Sequence, residues 1–208
     1  AAVAAVMRSG TLSAFLGRAG GGFAGGPTVL QLERDFARKF GVSHAVSVNS
    51  ATTALHAAVA ACEAGPGDEV LVTPFTMSAS ASAILMNNAV PVFVDIDPLT
   101  FNMNPAELER WITPRTKAIV VANIFGLPAY LDEIAAIAGK HGLYVIEDNA
   151  QSPGATIRGR QAGTVGDIGV FSLNYHKVIH SGEGGVIVTD NEELAWRCQL
   201  IRNHGEVI

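Results

Sequence analysis

Two stretches of this chain show no alternation of polar and apolar residues. Ala118-Ile-Val-Val-Ala122 is apolar throughout, and Leu143-Tyr-Val-Ile146 stays apolar until it meets Glu147 and Asp148. A strand turns successive side chains to opposite faces, so a strand that is apolar on both faces must be covered on both. Such strands belong inside a parallel sheet with helices above and below. The neighbouring sequence predicts those helices. Val29, Leu32, Phe36 and Phe40 keep helical spacing; Thr28 with Gln31 forms a capping box at the start, and Gly41 stops the helix. Further helices are predicted over Thr52–Cys62, Met77–Asn87 and Leu131–His141, with a start at Asn104-Pro105 and a last helix, capped by Asp190, that contains Leu194, Cys198 and Ile201. Strands are predicted over His44–Asn49, Glu69–Val72, Val90–Val94, Lys117–Asn123, Leu143–Glu147, Val170–Leu173 and Val186–Thr189. This alternation predicts an α/β fold: three layers, α/β/α, around a mostly parallel sheet.

The only low-complexity segment is Gly17-Arg-Ala-Gly-Gly-Gly-Phe-Ala-Gly-Gly26, dense enough in glycine to make a mobile loop. Residues 1–26 are therefore expected to form an arm and 27–208 the folded domain. The loop itself is either a plain linker or a segment that closes over a ligand. At 208 residues, with 49% hydrophobic and 16% charged residues, the chain can bury a substantial core and is too apolar to be disordered. Its 19 acids against 14 bases give a net charge of −5 without a basic cluster, which argues against nucleic acid or an anionic membrane as partner. Ala1–Met7 is apolar, but too short to span a bilayer and without a positive leader. Cys62 and Cys198 have neither metal nor framework spacing, and are expected to be free thiols in a reducing cytoplasm.

In doubly wound sheets ligands sit at the carboxyl ends of strands, and the polar residues gather there. Asn49-Ser-Ala-Thr-Thr53 joins a strand to a helix, so it is either a simple N-cap or a phosphate site built from free amides and the hydroxyls of Ser50 and Thr52. Ser172, a second hydroxyl at a strand end, favours the phosphate. Of Glu147 and Asp148, one should face the site and the other point away. Gln151 could bond a phenolic oxygen, and Lys177 precedes the glycine turn Gly182-Glu-Gly-Gly185. A strand-end acid with a lysine in a glycine-punctuated loop suits a pyridine cofactor: the acid keeps the ring nitrogen protonated, and the amine holds the aldehyde as a Schiff base. Taken singly, Asp148 could be a solvated strand end and Lys177 a surface lysine. His176, His180 and Glu183 could supply charge near that amine or ligate a metal, although a glycine turn rather than a helix surrounds them.

The combination is more specific than its parts. Ser50-Ala-Thr-Thr-Ala-Leu, Gly67-Asp-Glu-Val, Val92-Phe-Val-Asp95, Glu147-Asp-Asn-Ala-Gln151, Phe171-Ser and Lys177-x4-Gly-Glu-Gly-Gly occur in one order. That order, from about Gly25 to Gly205, resembles the DegT/DnrJ/StrS sugar aminotransferases of the fold type I pyridoxal-phosphate superfamily. The resemblance implies the large domain of such an enzyme, followed in relatives by a small C-terminal domain that is missing here. It implies pyridoxal 5'-phosphate as cofactor, its phosphate on Ser50, Ala51 (through the backbone amide), Thr52 and Ser172. Asp148 would pair with the pyridinium nitrogen, Gln151 with the phenolic oxygen, and Lys177 would be the anchoring lysine and proton shuttle. Met77 stands where an aromatic residue commonly stacks on the ring, and Ala51 where glycine is usual; an alanine is tolerated there if its φ is negative. An amino donor (glutamate or glutamine), a keto-sugar or cyclitol acceptor and a homodimer with shared sites are implied as well. Two alternatives remain. One is a sugar dehydratase of the same fold, in which histidine replaces the lysine; the other is a non-catalytic fragment.

Overall fold

The structure, a computed structural model, describes residues 1–18 and 20–205. Its strands, in chain order, are β1 (His44–Val48), β2 (Glu69–Val72), β3 (Val90–Phe93), β4 (Thr116–Ala122), β5 (Tyr144–Asp148), β6 (Thr156–Ile157), β7 (Arg160–Gln161), β8 (Ile168–Ser172) and β9 (Gly185–Thr189). The helices are α1 (Ala2–Ser9), α2 (Pro27–Phe40), α3 (Ala51–Ala61), α4 (Ser78–Met86), α5 (Pro105–Leu108), α6 (Leu131–His141) and α7 (Glu192–Arg202). Seven strands form one sheet in the order β1-β9-β8-β5-β4-β2-β3. Every neighbouring pair is parallel except the two that involve β9, which alone runs against the rest.

Residue parity sorts the core into layers. Val46, Val70, Val72, Ala118, Val120, Ile146, Ile168, Val170 and Ile187 pack on one side with α3, α4 and α7. Leu71, Ile119, Val121 and Val145 face the other side, against Leu108 of α5 and Leu131, Ile134 and Ala138 of α6. At the β1 end that second side is closed by α2, whose Phe36 and Phe40 stack on each other and pack against Phe171, edge-on and tilted respectively. Both apolar runs thus occupy central strands, where each face meets a helix. The expected three layers and mostly parallel sheet are present.

Several local expectations give way to stronger contacts. Helix α2 begins at Pro27 with Gly26 as its N-cap and no side-chain cap. Proline at the first helical position presets φ and needs no amide partner, which puts Thr28 inside the helix and leaves the Thr28/Gln31 capping box unformed. At α7 the cap is Asn191, whose Oδ1 accepts from the amides of Glu193 (2.9 Å) and Leu194 (3.1 Å). Asp190 instead accepts from the amide and hydroxyl of Ser43 at 2.7 and 2.8 Å, fastening the start of β1 to the end of β9. The glycine-rich segment is anchored rather than a free loop: Phe23 is buried, its ring 5.4 Å from Trp196, and its carbonyl accepts from Asn203 Nδ2. One aromatic among the glycines suffices to dock it on α7. Ala19 of that segment, and residues 206–208 of the expected domain, lie outside the described residues. The β6–β7 hairpin was not expected; Arg158 and Arg160, at its turn, both reach Asp132 at the start of α6. Strand β5 ends one residue later than expected, at Asp148.

Candidate active site

The antiparallel course of β9 puts its amino end beside the carboxyl ends of β1 and β8, with that of β5 one strand further on. Gly185 is in register with both Val48 and Ser172, and Asp148 with Val170. Parity then selects the face. Ile146, Val170 and Ile187 point to the α3/α4/α7 side, so Asp148, Ser172 and Gly185, each two residues along the same strand, point there too. Val145 points to the α6 side, and Glu147 follows it. The two adjacent acids therefore part company. Glu147 is fully buried, its oxygens accepting from Asn123 Nδ2 (3.0 Å) and from the amides of Gly163 (2.6 Å), Val165 (2.7 Å) and Gly166 (2.7 Å). It organises the loop before β8.

Asp148 is 7% exposed and faces α4. Its Oδ2 accepts from the Ser80 hydroxyl at 2.8 Å and its Oδ1 from the Ala150 amide at 3.2 Å. Burial pushes its carboxyl above the ordinary carboxylate range; the Ser80 bond, the Ala150 bond and the positive charge of Lys177 pull the other way. The loop that carries that lysine is pinned by backbone bonds, Lys177 N to Asn174 O, Tyr175 N to Gly182 O and Ser181 N to Leu173 O, each 2.9 Å.

Because desolvation dominates, folded Asp148 holds its proton more tightly than in the unfolded chain. Its contribution to stability is fully present below the ordinary value of 3.8 and is lost as pH rises through the raised folded value. Asp148→Asn should remove that dependence and leave the ligand-free chain more stable than wild type at neutral pH. Urea unfolding of both proteins across the acid-to-neutral range checks this; equal slopes would contradict it.

Ser50 is the N-cap of α3: its Oγ accepts from Thr53 N at 3.1 Å and lies 3.0 Å from Thr53 Oγ1. The cap and a phosphate site are compatible, because the cap engages Thr53 and not the amides of the first two helical residues. Ala51 and Thr52 are the first two helical residues, whose amides have no carbonyl one turn back. Ala51 is absent from the positive-φ residues, so it tolerates the missing glycine. A Cβ on Gly185 would lie 2.5 Å from the Ser50 carbonyl and 2.8 Å from the Ala51 amide, so glycine lets β9 brace the helix start. Gly185→Ala is expected to cost about 1–3 kcal/mol by this overlap, read as a lower urea midpoint.

Ser172 is buried, with Oγ accepting from Asn174 N at 3.3 Å. Gln151 Oε1 accepts from Phe125 N at 3.0 Å, which leaves the Nε2 donors to face the other way. Met77 precedes α4 in the loop after β2 and is 60% exposed. Among the described residues no group of three His, Cys, Asp or Glu could hold a metal, and Glu183 accepts from Asn174 Nδ2 at 2.5 Å. Burial pushes both free thiols up, Cys198 to about 12, so neither is a nucleophile. No described helix is long and apolar enough to cross a membrane. Ser80 and Phe125, which position Asp148 and Gln151, carry no sequence signal; one is a serine among alanines, the other an aromatic at φ 54°.

Comparison with known proteins places the chain in a family. Residues 16–207 match the DegT/DnrJ/EryC1/StrS aminotransferase family. The chain is 46% identical over 180 residues to GDP-perosamine synthase of Caulobacter vibrioides, covering 86% of this chain and 48% of that protein. It is 49% identical over 172 residues to L-glutamine:2-deoxy-scyllo-inosose aminotransferase of Streptoalloteichus tenebrarius, covering 83% and 41%. The fold matches NtdA from Bacillus subtilis, a crystal structure with bound cofactor PMP, at a TM-score of 0.80 and 32% identity, covering 94% of this chain and 42% of that one. The chain spans about half the length of the curated relatives it matches. A family match running almost end to end, on a fold whose strand ends converge as described, has one reading: the chain belongs to the DegT/DnrJ/EryC1/StrS aminotransferase family.

Proposed function

We propose that this chain is the cofactor-binding part, residues 27–208 preceded by an arm, of a pyridoxal 5'-phosphate-dependent aminotransferase. The observation that carries the reading is Asp148, buried at the strand ends on the α3/α4 side and held by Ser80, whose carboxyl is costly to ionise alone. A cationic ring nitrogen would repay that desolvation. The remaining residues fit the group. Ser50, Ala51 and Thr52 offer a helix start braced by Gly185, and Ser172 lies in register with that glycine. Gln151 presents Nε2 donors for a phenolic oxygen, and Met77 supplies a thioether for a ring face.

When bound, the ring supplies an electron sink for the substrate carbon. Asp148 keeps its nitrogen protonated, and Ser80 holds the carboxylate in place for that task. Lys177 anchors the cofactor and, once released, carries a proton on Nζ to and from the substrate carbon. The amino donor is glutamate or glutamine. The acceptor is a keto-sugar, nucleotide-linked or not, or a cyclitol, in keeping with the names of both curated relatives. We place the protein in the cytoplasm as a homodimer with shared sites; its free buried thiols suit a reducing compartment. Pyridoxal phosphate titration followed by visible absorption, with 2-oxoglutarate release from glutamate as the turnover assay, tests this. A chain that takes up no cofactor overturns it, and uptake without amino transfer would favour the dehydratase chemistry.

A further inference from the structure

Arg202, the last residue of α7, is placed where a structural arginine has no need to be so generous. Its side chain is only 7% exposed. Nη1 donates to Glu33 Oε1 at 2.7 Å and to the Ser47 carbonyl at 3.2 Å, tying α7 to α2 around the edge strand β1. Among the described residues, Nε and Nη2 are buried with no acceptor. These two nitrogens form the side edge of the guanidinium, the pair of parallel donors that meets both oxygens of a carboxylate. An ion pair that served packing alone would leave such donors to water or a backbone carbonyl, because unmet buried donors are costly.

Arg202 lines a cavity of about 520 Å³ at the β1 edge, with Phe15 of the arm, Val48, Asn49, His56 of α3 and Ile201 among its other walls. The Phe15 ring lies 4.4 Å from the guanidinium carbon. It packs over the guanidinium as a cation–π partner carried by the arm. We propose that this cavity is a second anion site, beside the α3 start, and that it takes a small organic monocarboxylate. The carboxylate would meet Nε and Nη2, and an apolar body would lie against Val48 and Ile201. Glu33 already offsets the arginine charge, so a single negative charge suits the site better than a dianion. Phe15 must tilt away for the ligand to reach the edge.

The test needs no cofactor. Isobutyrate is titrated into the full chain while the Arg202 Nε–H resonance is followed by nuclear magnetic resonance, with inorganic phosphate as the comparison. Isobutyrate should shift that resonance downfield and slow its exchange, saturably, and phosphate should not. Phe15→Ala should tighten binding roughly three- to tenfold, the worth of the ring contact that binding otherwise breaks. Arg202→Lys keeps a cation for Glu33 but lacks the paired donors and the Nε–H signal, so it is read by thermal unfolding: isobutyrate should raise the melting temperature of wild type and leave that of this variant unmoved. If that variant does not fold, wild type and Phe15→Ala decide. An unmoved resonance in both overturns the site, and an equal response to phosphate overturns its assignment to monocarboxylates.

Discussion

Lys177→Ala is expected to abolish the visible absorption of the cofactor-loaded chain and to lower amino transfer by at least about 10³-fold, since in the proposed function one side chain is both anchor and proton carrier. The fold should survive. Lys177 is half-buried in a loop whose course is set by its backbone, and its amide bond to Asn174 O does not involve the side chain. Stability should therefore stay within about 0.5 kcal/mol of wild type, as for substitutions away from packing contacts. A variant with intact melting and an unchanged spectrum would show that residue 177 does not hold the cofactor. Asp148→Asn makes a useful companion, because it is expected to stabilise the ligand-free chain while impairing the same chemistry. Opposite effects on stability and activity mark a group kept for function.

Glu147→Gln should have the largest effect on folding, a loss of about 3–5 kcal/mol in urea unfolding. The carboxylate accepts four N–H bonds with no exposure to water, two on each oxygen. An amide in its place must turn an NH₂ toward two of those donors, leaving them unmet and opposed. Against a typical total of about 5–15 kcal/mol, such a loss would leave a considerable unfolded fraction. A midpoint close to wild type would mean that the loop from Gly163 to Gly166 does not depend on this carboxylate. The contrast between residues 147 and 148 is sharp: neighbouring acids, one expected to hold the loop together, the other to weaken the ligand-free fold.

Much of the architecture was legible because its causes are local. Glu69–Val72 and Leu131–His141 have the expected bounds, and the unbroken apolar runs at β4 and β5 announce cover on both faces. Strand parity made it predictable that Glu147 and Asp148 would separate. The caps were harder, because several residues compete for one role. Thr28 lost to Gly26 with Pro27, and Asp190 was drawn to Ser43, 147 positions away in sequence. No local pattern reports a partner at that distance.

The sequence alone determined the layered sheet and the polar strand ends, and it nominated the acid and the lysine, because period and residue chemistry act over a few positions. Only the tertiary structure decided which neighbours give those residues their properties. Ser80 reaches Asp148 from 68 positions away, and Arg202 meets Glu33 across 169. Gly185 touches Ser50 only because β9 runs against the other strands. Burial, unmet donors and charge proximity arise from chain segments brought together by packing, and packing is a property of the whole fold.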